Sequence, residues 1–215
     1  MLVVAAIEVR RAEVEDIDAI AMVLGAAFAD YPWTRWTIDA DDHERRIVEL
    51  QRSALEHLGL PHGEVWVATV DDAVACAAIW MDSAVRIPRA ALASVGADRI
   101  HLEGDRHEAS LRADAETAPL IPPEPHRYLA TIGTAPEHRH QGLATATLRP
   151  PLEGLDASAS LGFLMTSWEP NVAFYQGQGF TVSGHLDLSG GGPPVWAMTR
   201  HPSPPELSPA IVRAG

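Results

Sequence analysis

Apolar and polar positions along the chain switch between a period of two and a period near 3.6. The opening run VVAAIEVRRA reads as a strand that passes into polar residues. Glu13, Glu15 and Asp16 then precede Ile17, Ile20, Ala21, Leu24 and Phe28. That spacing is helical, and acids suit a helix N-terminus. The helix should end near Asp30, because Tyr31 precedes Pro32 and a pre-proline residue is biased away from helical angles. A second helix is expected from about Asp41 to Leu58 on Ile47, Leu50, Leu55 and Leu58. EVWVATV and AVACAAIW, separated by Asp71 and Asp72, have the pattern of a hairpin.

Residues 85–126 are mixed. ALASVGADRIHLEG and HEASLRADAE look helical and PLIPPEP is a stiff connector, so the segment reads as an insertion packed over one face. RYLATIGT is a strand, and helical pattern resumes at Leu143 toward Pro150 and Pro151, where a kink or pause is expected. The last third reads as strand LGFLMTS, short helix NVAFYQGQ, strand FTVSGHLDL, a glycine turn and strand VWAMTR. This mixture implies an α+β or mixed α/β class in one layer-packed domain over residues 1–202, with a proline-rich, loosely attached tail over 203–215.

Composition narrows the function classes. The 215 residues carry 16 Arg and no Lys against 29 Asp plus Glu, a net charge of −13 with no basic run. Such a balance argues against a nucleic-acid partner, which needs clustered cations. The one cysteine, Cys76, excludes an internal disulfide framework; its apolar surroundings favour a buried thiol over a nucleophile. MLVVAAIEV is too short for a signal peptide or a membrane span, and the expected location is cytoplasmic. The partners expected are small molecules, not a membrane, and the chain could be a monomer or a homodimer.

The stretch HRHQGLATAT, His138 to Thr147, raises the question of chemistry. A strand, a short polar loop with small residues and then a helix can hold an anion on free backbone N–H groups. Gly142 lets the backbone approach closely, Ala144 is nearly as permissive, and Arg139 can add a charge-assisted hydrogen bond. A polar turn capped onto a helix is the plain alternative. The P-loop and Rossmann glycine patterns are absent. His138 and His140 form an HxH pair that could ligate a metal, but no further ligands accompany it, and no metal is expected.

Arg139-x-x-Gly142-x-Ala144 resembles the pyrophosphate-binding loop of the GNAT superfamily of acyl-CoA N-acyltransferases. NVAFYQGQGF resembles its later helix, with Asn171, Phe174, Tyr175, Gly179 and Phe180 at the family's positions. AAFADYPWTRWTID, GEVWVATVDDAVACAAIW, YLATIGTAPEH and the last strands are similar to the puromycin N-acetyltransferases, from about residue 8 to 202.

The resemblance implies a GNAT-type fold, a mixed and mostly antiparallel sheet flanked by helices and splayed at the acyl-CoA site. It implies acetyl-CoA as cofactor and direct attack by an amine in a ternary complex. Ile132, Gly133 and Thr134 would face the pantetheine arm; Arg139, His140, Gln141, Gly142, Leu143, Ala144 and Thr145 would hold the pyrophosphate. Asn171 would be a cofactor-side hydrogen-bonding residue and Tyr175 the general acid, although on periodicity alone each could be an ordinary helix residue. Tyr31, Trp33 and Trp36 would offer a stacking surface to the acceptor or else anchor a turn. Met165 and Trp168 would also face the acceptor, and Glu169 could act through a water or be a plain capping acid.

At Leu164-Met165-Thr166-Ser167 the puromycin enzymes have an acid where this chain has Met165, and Trp168 replaces a small residue. Both changes concern the acceptor side. The expected acceptor is the primary amine of a small molecule, with antibiotic resistance as one role. A peptide or protein amine, or a non-catalytic acyl-CoA-binding module, are the alternatives.

Overall fold

The computed structural model describes residues 7–203. Residues 1–6 of the expected opening strand and 204–215 of the tail lie outside the described residues. Seven strands form one sheet: β1 (Ile7–Arg11), β2 (Gly63–Val70), β3 (Ala73–Asp82), β4 (His126–Thr134), β5 (Leu161–Thr166), β6 (Thr181–Asp187) and β7 (Pro194–Arg200), in the order β1-β2-β3-β4-β5-β7-β6. Every pairing is antiparallel except β4 with β5. The helices are α1 (Ile17–Phe28), α2 (Pro32–Thr37), α3 (His43–Ala54), α4 (Leu60–His62), α5 (Arg89–Glu103), α6 (His107–Thr117), α7 (Leu143–Ala157) and α8 (Glu169–Gly177). A π-helical turn, Leu55–Gly59, joins α3 to α4. Among the described residues no helix is long and apolar enough to cross a membrane.

Helices cover both faces of the sheet, which explains why AVACAAIW is apolar throughout instead of alternating. Ala77 and Ile79 pack with Ile20, Ala21 and Leu24 of α1 and with Val65 and Val67. The intervening Ala78 and Trp80 point the other way, toward Leu148, Leu152 and Leu155 of α7.

Two expectations need correction. The loop after α1 is not a bare turn: Pro32 sits in the first turn of α2, where its fixed φ and missing N–H suit a helix start. And α7 runs unbroken through Pro150 and Pro151. The two rings remove donors to the carbonyls of Ala146 and Thr147, and an interior proline costs about 3 kcal/mol. Leu148, Pro151, Leu152 and Leu155 all bury against the sheet side of the same helix. With Leu143 also buried, four leucines at about 1.5–3 kcal/mol each match or exceed the loss at the two prolines.

The end of α7 is tied to the last strand. Arg200 donates from Nη1 and Nη2 to Asp156 Oδ1 and Oδ2 at 2.8 and 2.7 Å and from Nε to Gln178 O at 3.1 Å. The arginine is buried, so its partner cannot be removed cheaply. Asp156→Ala is expected to lower unfolding free energy by about 2–3 kcal/mol at neutral pH, read by urea denaturation. The Arg200 hydrogen bonds hold the Asp156 carboxyl below its ordinary value of 3.8. Its stabilisation is therefore complete above that value and fades as pH falls through the lower folded value, so wild type and variant should converge in acid.

Candidate functional site

Strands β4 and β5 pair over three residues only, His126 with Leu161, Arg127 with Gly162 and Tyr128 with Phe163, and then diverge. Ala135 N–H donates to Ala75 O at 2.8 Å, so the 135/75 pair is hydrogen-bonded. By the antiparallel alternation, Gly133 with Ala77 and Thr131 with Ile79 are hydrogen-bonded too. The N–H and C=O of Ile132 and Thr134 therefore point away from β3, into the opening. Gly133 lies between them because α1 crosses close behind: a Cβ there would meet Ala27 Cβ at 2.8 Å and Leu24 Cδ2 at 2.9 Å.

At the mouth of the opening the chain turns from β4 into α7. His140 and Gly142 have φ of 62° and 80°, both left-handed. A Cβ at Gly142 would touch nothing within 4 Å, so the glycine is required by backbone angle and not by crowding. Among the described residues, the amides from His140 through Thr145 donate to nothing. Arg139 Nη2 donates to Ala27 O at 3.2 Å, Gln141 Nε2 to Glu137 O at 3.3 Å, and Thr145 Oγ1 accepts from Gln178 Nε2 at 3.5 Å. Among the described residues no three His, Cys, Asp or Glu side chains stand together as ligands for an ion.

The opening leads into a cavity of about 430 Å³. Leu129 to Ile132, Ser167, Asn171 and Tyr175 line one part, and Phe28, Tyr31, Trp33, Tyr128 and Met165 continue it. Tyr175 is 7% exposed, packed edge-on against Phe174 and Phe180. Its hydroxyl has no hydrogen-bond partner among the described residues. Burial, followed by the nearby Tyr31 and Tyr128, pushes its phenol well above the ordinary value of 10.0. The group keeps its proton at neutral pH and presents it to the cavity.

Tyr31 is the joint between the two sides. Ser167 N–H donates to its hydroxyl at 2.5 Å, and the hydroxyl also meets Thr166 Oγ1 at 3.1 Å. Asn171 Nδ2 donates to the same Thr166 Oγ1 at 3.3 Å. Tyr31 thus ties the start of α2 to the end of β5 and the first turn of α8. Trp33 and Met165 line the cavity, whereas Trp36, Trp168 and Glu169 do not. Trp36 carries Arg106 over its ring at 4.4 Å and backs the turn at Gly192, since α2 turns successive side chains to different sides. Trp168 stacks outside Tyr31 at 6.5 Å, and Glu169 is exposed at the N-terminus of α8, where an acid suits the helix dipole. Cys76 is fully buried beneath α7, accepts from Thr134 Oγ1 at 3.2 Å, and has its thiol pushed up by burial.

Sequence reasoning missed the far end of the cavity. Arg99, Glu103, Asp114, Thr117 and Tyr128 line it. The available signal was the spacing of Arg99 to Glu103 on one helix, an i,i+4 ion pair. Nothing in the sequence brought Asp114 of α6 to the same place.

No protein-family model matches the chain. Solved structures do. A Corynebacterium glutamicum protein described as histone acetyltransferase HPA2 and related acetyltransferase superposes with a TM-score of 0.71 at 22% identity, over 94% of this chain and 99% of that one. Arylalkylamine N-acetyltransferase 2 from Aedes aegypti gives 0.63 at 11% identity over 92% and 99%. The PaiA N-acetyltransferase from Thermoplasma acidophilum, in complex with coenzyme A, gives 0.51 at 13% over 91% and 99%. At these identities the likeness is one of fold: with its mixed, mostly antiparallel sheet splayed between β4 and β5, the chain has the GNAT acetyltransferase fold.

Proposed function

We propose that the protein is an N-acetyltransferase that takes an acetyl group from acetyl-CoA and passes it to a primary amine held in the same cavity. The observation that carries the reading is the sheet opening. Ile132, with backbone groups turned away from β3, and the unpartnered phenol of Tyr175 line one cavity, and further along the same strand come the free amides of residues 140–145 at the start of α7.

The residues present fit acetyl-CoA. An extended amide-bearing arm can add to the edge of β4 as a further strand. The amides of His140 to Thr145, with the N-terminal dipole of α7, suit a pyrophosphate; Arg139 stands beside them, its guanidinium now on Ala27 O. Bound acetyl-CoA supplies an activated acetyl thioester. The chain's own groups do the rest. The Ile132 N–H is the donor available to a carbonyl oxygen gaining charge, and losing one such donor costs on the order of 3 kcal/mol elsewhere. Tyr175 holds a proton that it can release to a departing sulfur. The incoming amine must bind neutral or lose its proton, and Glu169 lies outside the cavity, so a water leading out past Ser167 is a better route than direct contact.

The acceptor proposed is a small-molecule amine, because α2, α5 and α6 wall the cavity. Puromycin is the first acceptor to test, with Met165 in the wall where the puromycin enzymes carry an acid. A protein amine is the competing acceptor, in keeping with the name of the Corynebacterium neighbour. An acyl-CoA-binding module without turnover is the third reading, against which the protonated Tyr175 stands.

Thiol release from acetyl-CoA, measured with puromycin and a panel of amines and peptides, tests the reading. Turnover of any amine supports it; tight acetyl-CoA binding without turnover of any of them overturns it. The same assay has a pH signature. Because the Tyr175 phenol is raised, it stays protonated past the ordinary tyrosine value of 10.0. Activity should rise as the amine deprotonates and show no fall on the alkaline side up to about pH 10.

A further inference from the structure

Two carboxylates and one guanidinium meet where α5 and α6 close the cavity. Arg99 donates from Nε to Glu103 Oε1 at 2.7 Å and from Nη2 to Asp114 Oδ2 at 2.8 Å and Ser110 Oγ at 2.7 Å. Ser110 Oγ also donates to Glu103 Oε1 at 2.8 Å, and His107 Nδ1 stands 2.5 Å from Glu103 Oε2. Glu103 is buried, and both of its oxygens are occupied, so it acts as the staple between the helices. Asp114 is different. Only Oδ2 is engaged; among the described residues Oδ1 has no partner, and the side chain is 44% exposed. It lines the same cavity as Tyr175, whose hydroxyl likewise has no hydrogen-bond partner among the described residues.

We infer that Asp114 binds a second cationic nitrogen of the acceptor, so that the enzyme selects molecules with a reacting amine at one end and another ammonium at the far end. The inference rests on the acetyltransferase reading and narrows its substrate class. Asp114 thus offers the cavity a carboxylate oxygen that Arg99 does not engage. A cation at Oδ1 takes it up with a charge-assisted hydrogen bond. The field of Asp114 enters the cavity: after burial and Tyr31, it is among the causes that push the Tyr128 phenol up to about 12. Tyr175 and Asp114 line the one cavity together with Tyr31, Trp33 and Tyr128. The acceptor spans it with the reacting amine toward Tyr175, the second nitrogen at Asp114 and its middle against those three rings.

The test compares α,ω-diaminoalkanes with n-alkylamines of the same length, in the wild type and in Asp114→Asn. Both kcat/KM and binding, measured calorimetrically with CoA present, are read. At the best length the diamine should exceed its monoamine roughly tenfold or more in wild type, and the ratio should fall toward one in the variant. Equal handling of diamines and monoamines by the wild type overturns the inference and leaves acetyl transfer standing. If no amine is turned over but Asp114→Asn abolishes diamine binding, the site stands and the acetyltransferase reading falls. Absence of any diamine preference in both readouts overturns it outright, and this wild-type comparison holds even if the variant fails to fold.

Discussion

Tyr175→Phe is expected to lower kcat for acetyl transfer by about 10²–10³-fold, within the range of a lost general acid, and to leave acetyl-CoA affinity nearly unchanged. The case is clean because of how the side chain sits. Its ring belongs to the core with Leu148, Leu152 and Phe180, and phenylalanine keeps that packing. Its hydroxyl makes no hydrogen bond to a described residue, so removing it orphans no partner and should move thermal stability little. The whole effect then falls on proton delivery. Stopped-flow or steady-state thiol release gives kcat, and calorimetry gives Kd. A variant with wild-type kcat would mean that water, not Tyr175, protonates the leaving sulfur.

Gly142→Val is expected to weaken acetyl-CoA binding roughly 30-fold, about 2 kcal/mol, with a smaller loss in Gly142→Ala. Gly142 caps α7 with φ 80° and ψ 4°. A β-branched residue is an outlier there, and an L-residue pays about 1–2 kcal/mol for left-handed angles. Because no atom lies within 4 Å of the added Cβ, steric collision does not contribute. Relieving the strain rotates the peptide units that aim the amides of residues 140–145 at one point. Gly142→Asn, which tolerates left-handed angles, should restore most of the affinity. A lowered Tm with unchanged Kd in the valine variant would show that the loop does not hold the anion.

Periodicity made most elements readable, because each is amphipathic or doubly covered on a short local scale. The helices at 89–103 and 107–117 and the hairpin of β2 and β3 stand where their patterns put them. What escaped depends on distant partners. Pro32 reads locally as a break, yet it starts α2, because nothing local distinguishes a helix-starting proline from a turn. Pro150 and Pro151 read as a pause, but the leucines of α7 find enough sheet to hold the helix through them. The insertion of β7 between β5 and β6 is invisible to any local rule.

The site divides in the same way. Gly142, Asn171 and Tyr175 were picked out from motifs contiguous in sequence, and the structure sets Asn171 and Tyr175 in the wall of the cavity and Gly142 at the start of α7. On the acceptor side, Trp33 and Met165 reach the cavity while Trp36, Trp168 and Glu169 turn elsewhere, which depends on how α2 and α8 are rotated. Asp114 was not legible, being one acid among 29 until α6 folds back on α5.

The three-residue contact between β4 and β5 has a consequence for exchange with solvent. Amides in the middle of a sheet ordinarily trade their hydrogens only when the domain opens. At Ile132 and Thr134 the trade should need no opening, since neither amide is bonded to a neighbouring strand. These two amides should exchange orders of magnitude faster than those of Gly133 and Thr131, their neighbours bonded to β3. A ligand that lies along the edge would erase the difference, making an alternating fast-slow pattern in β4 a residue-by-residue record of occupancy.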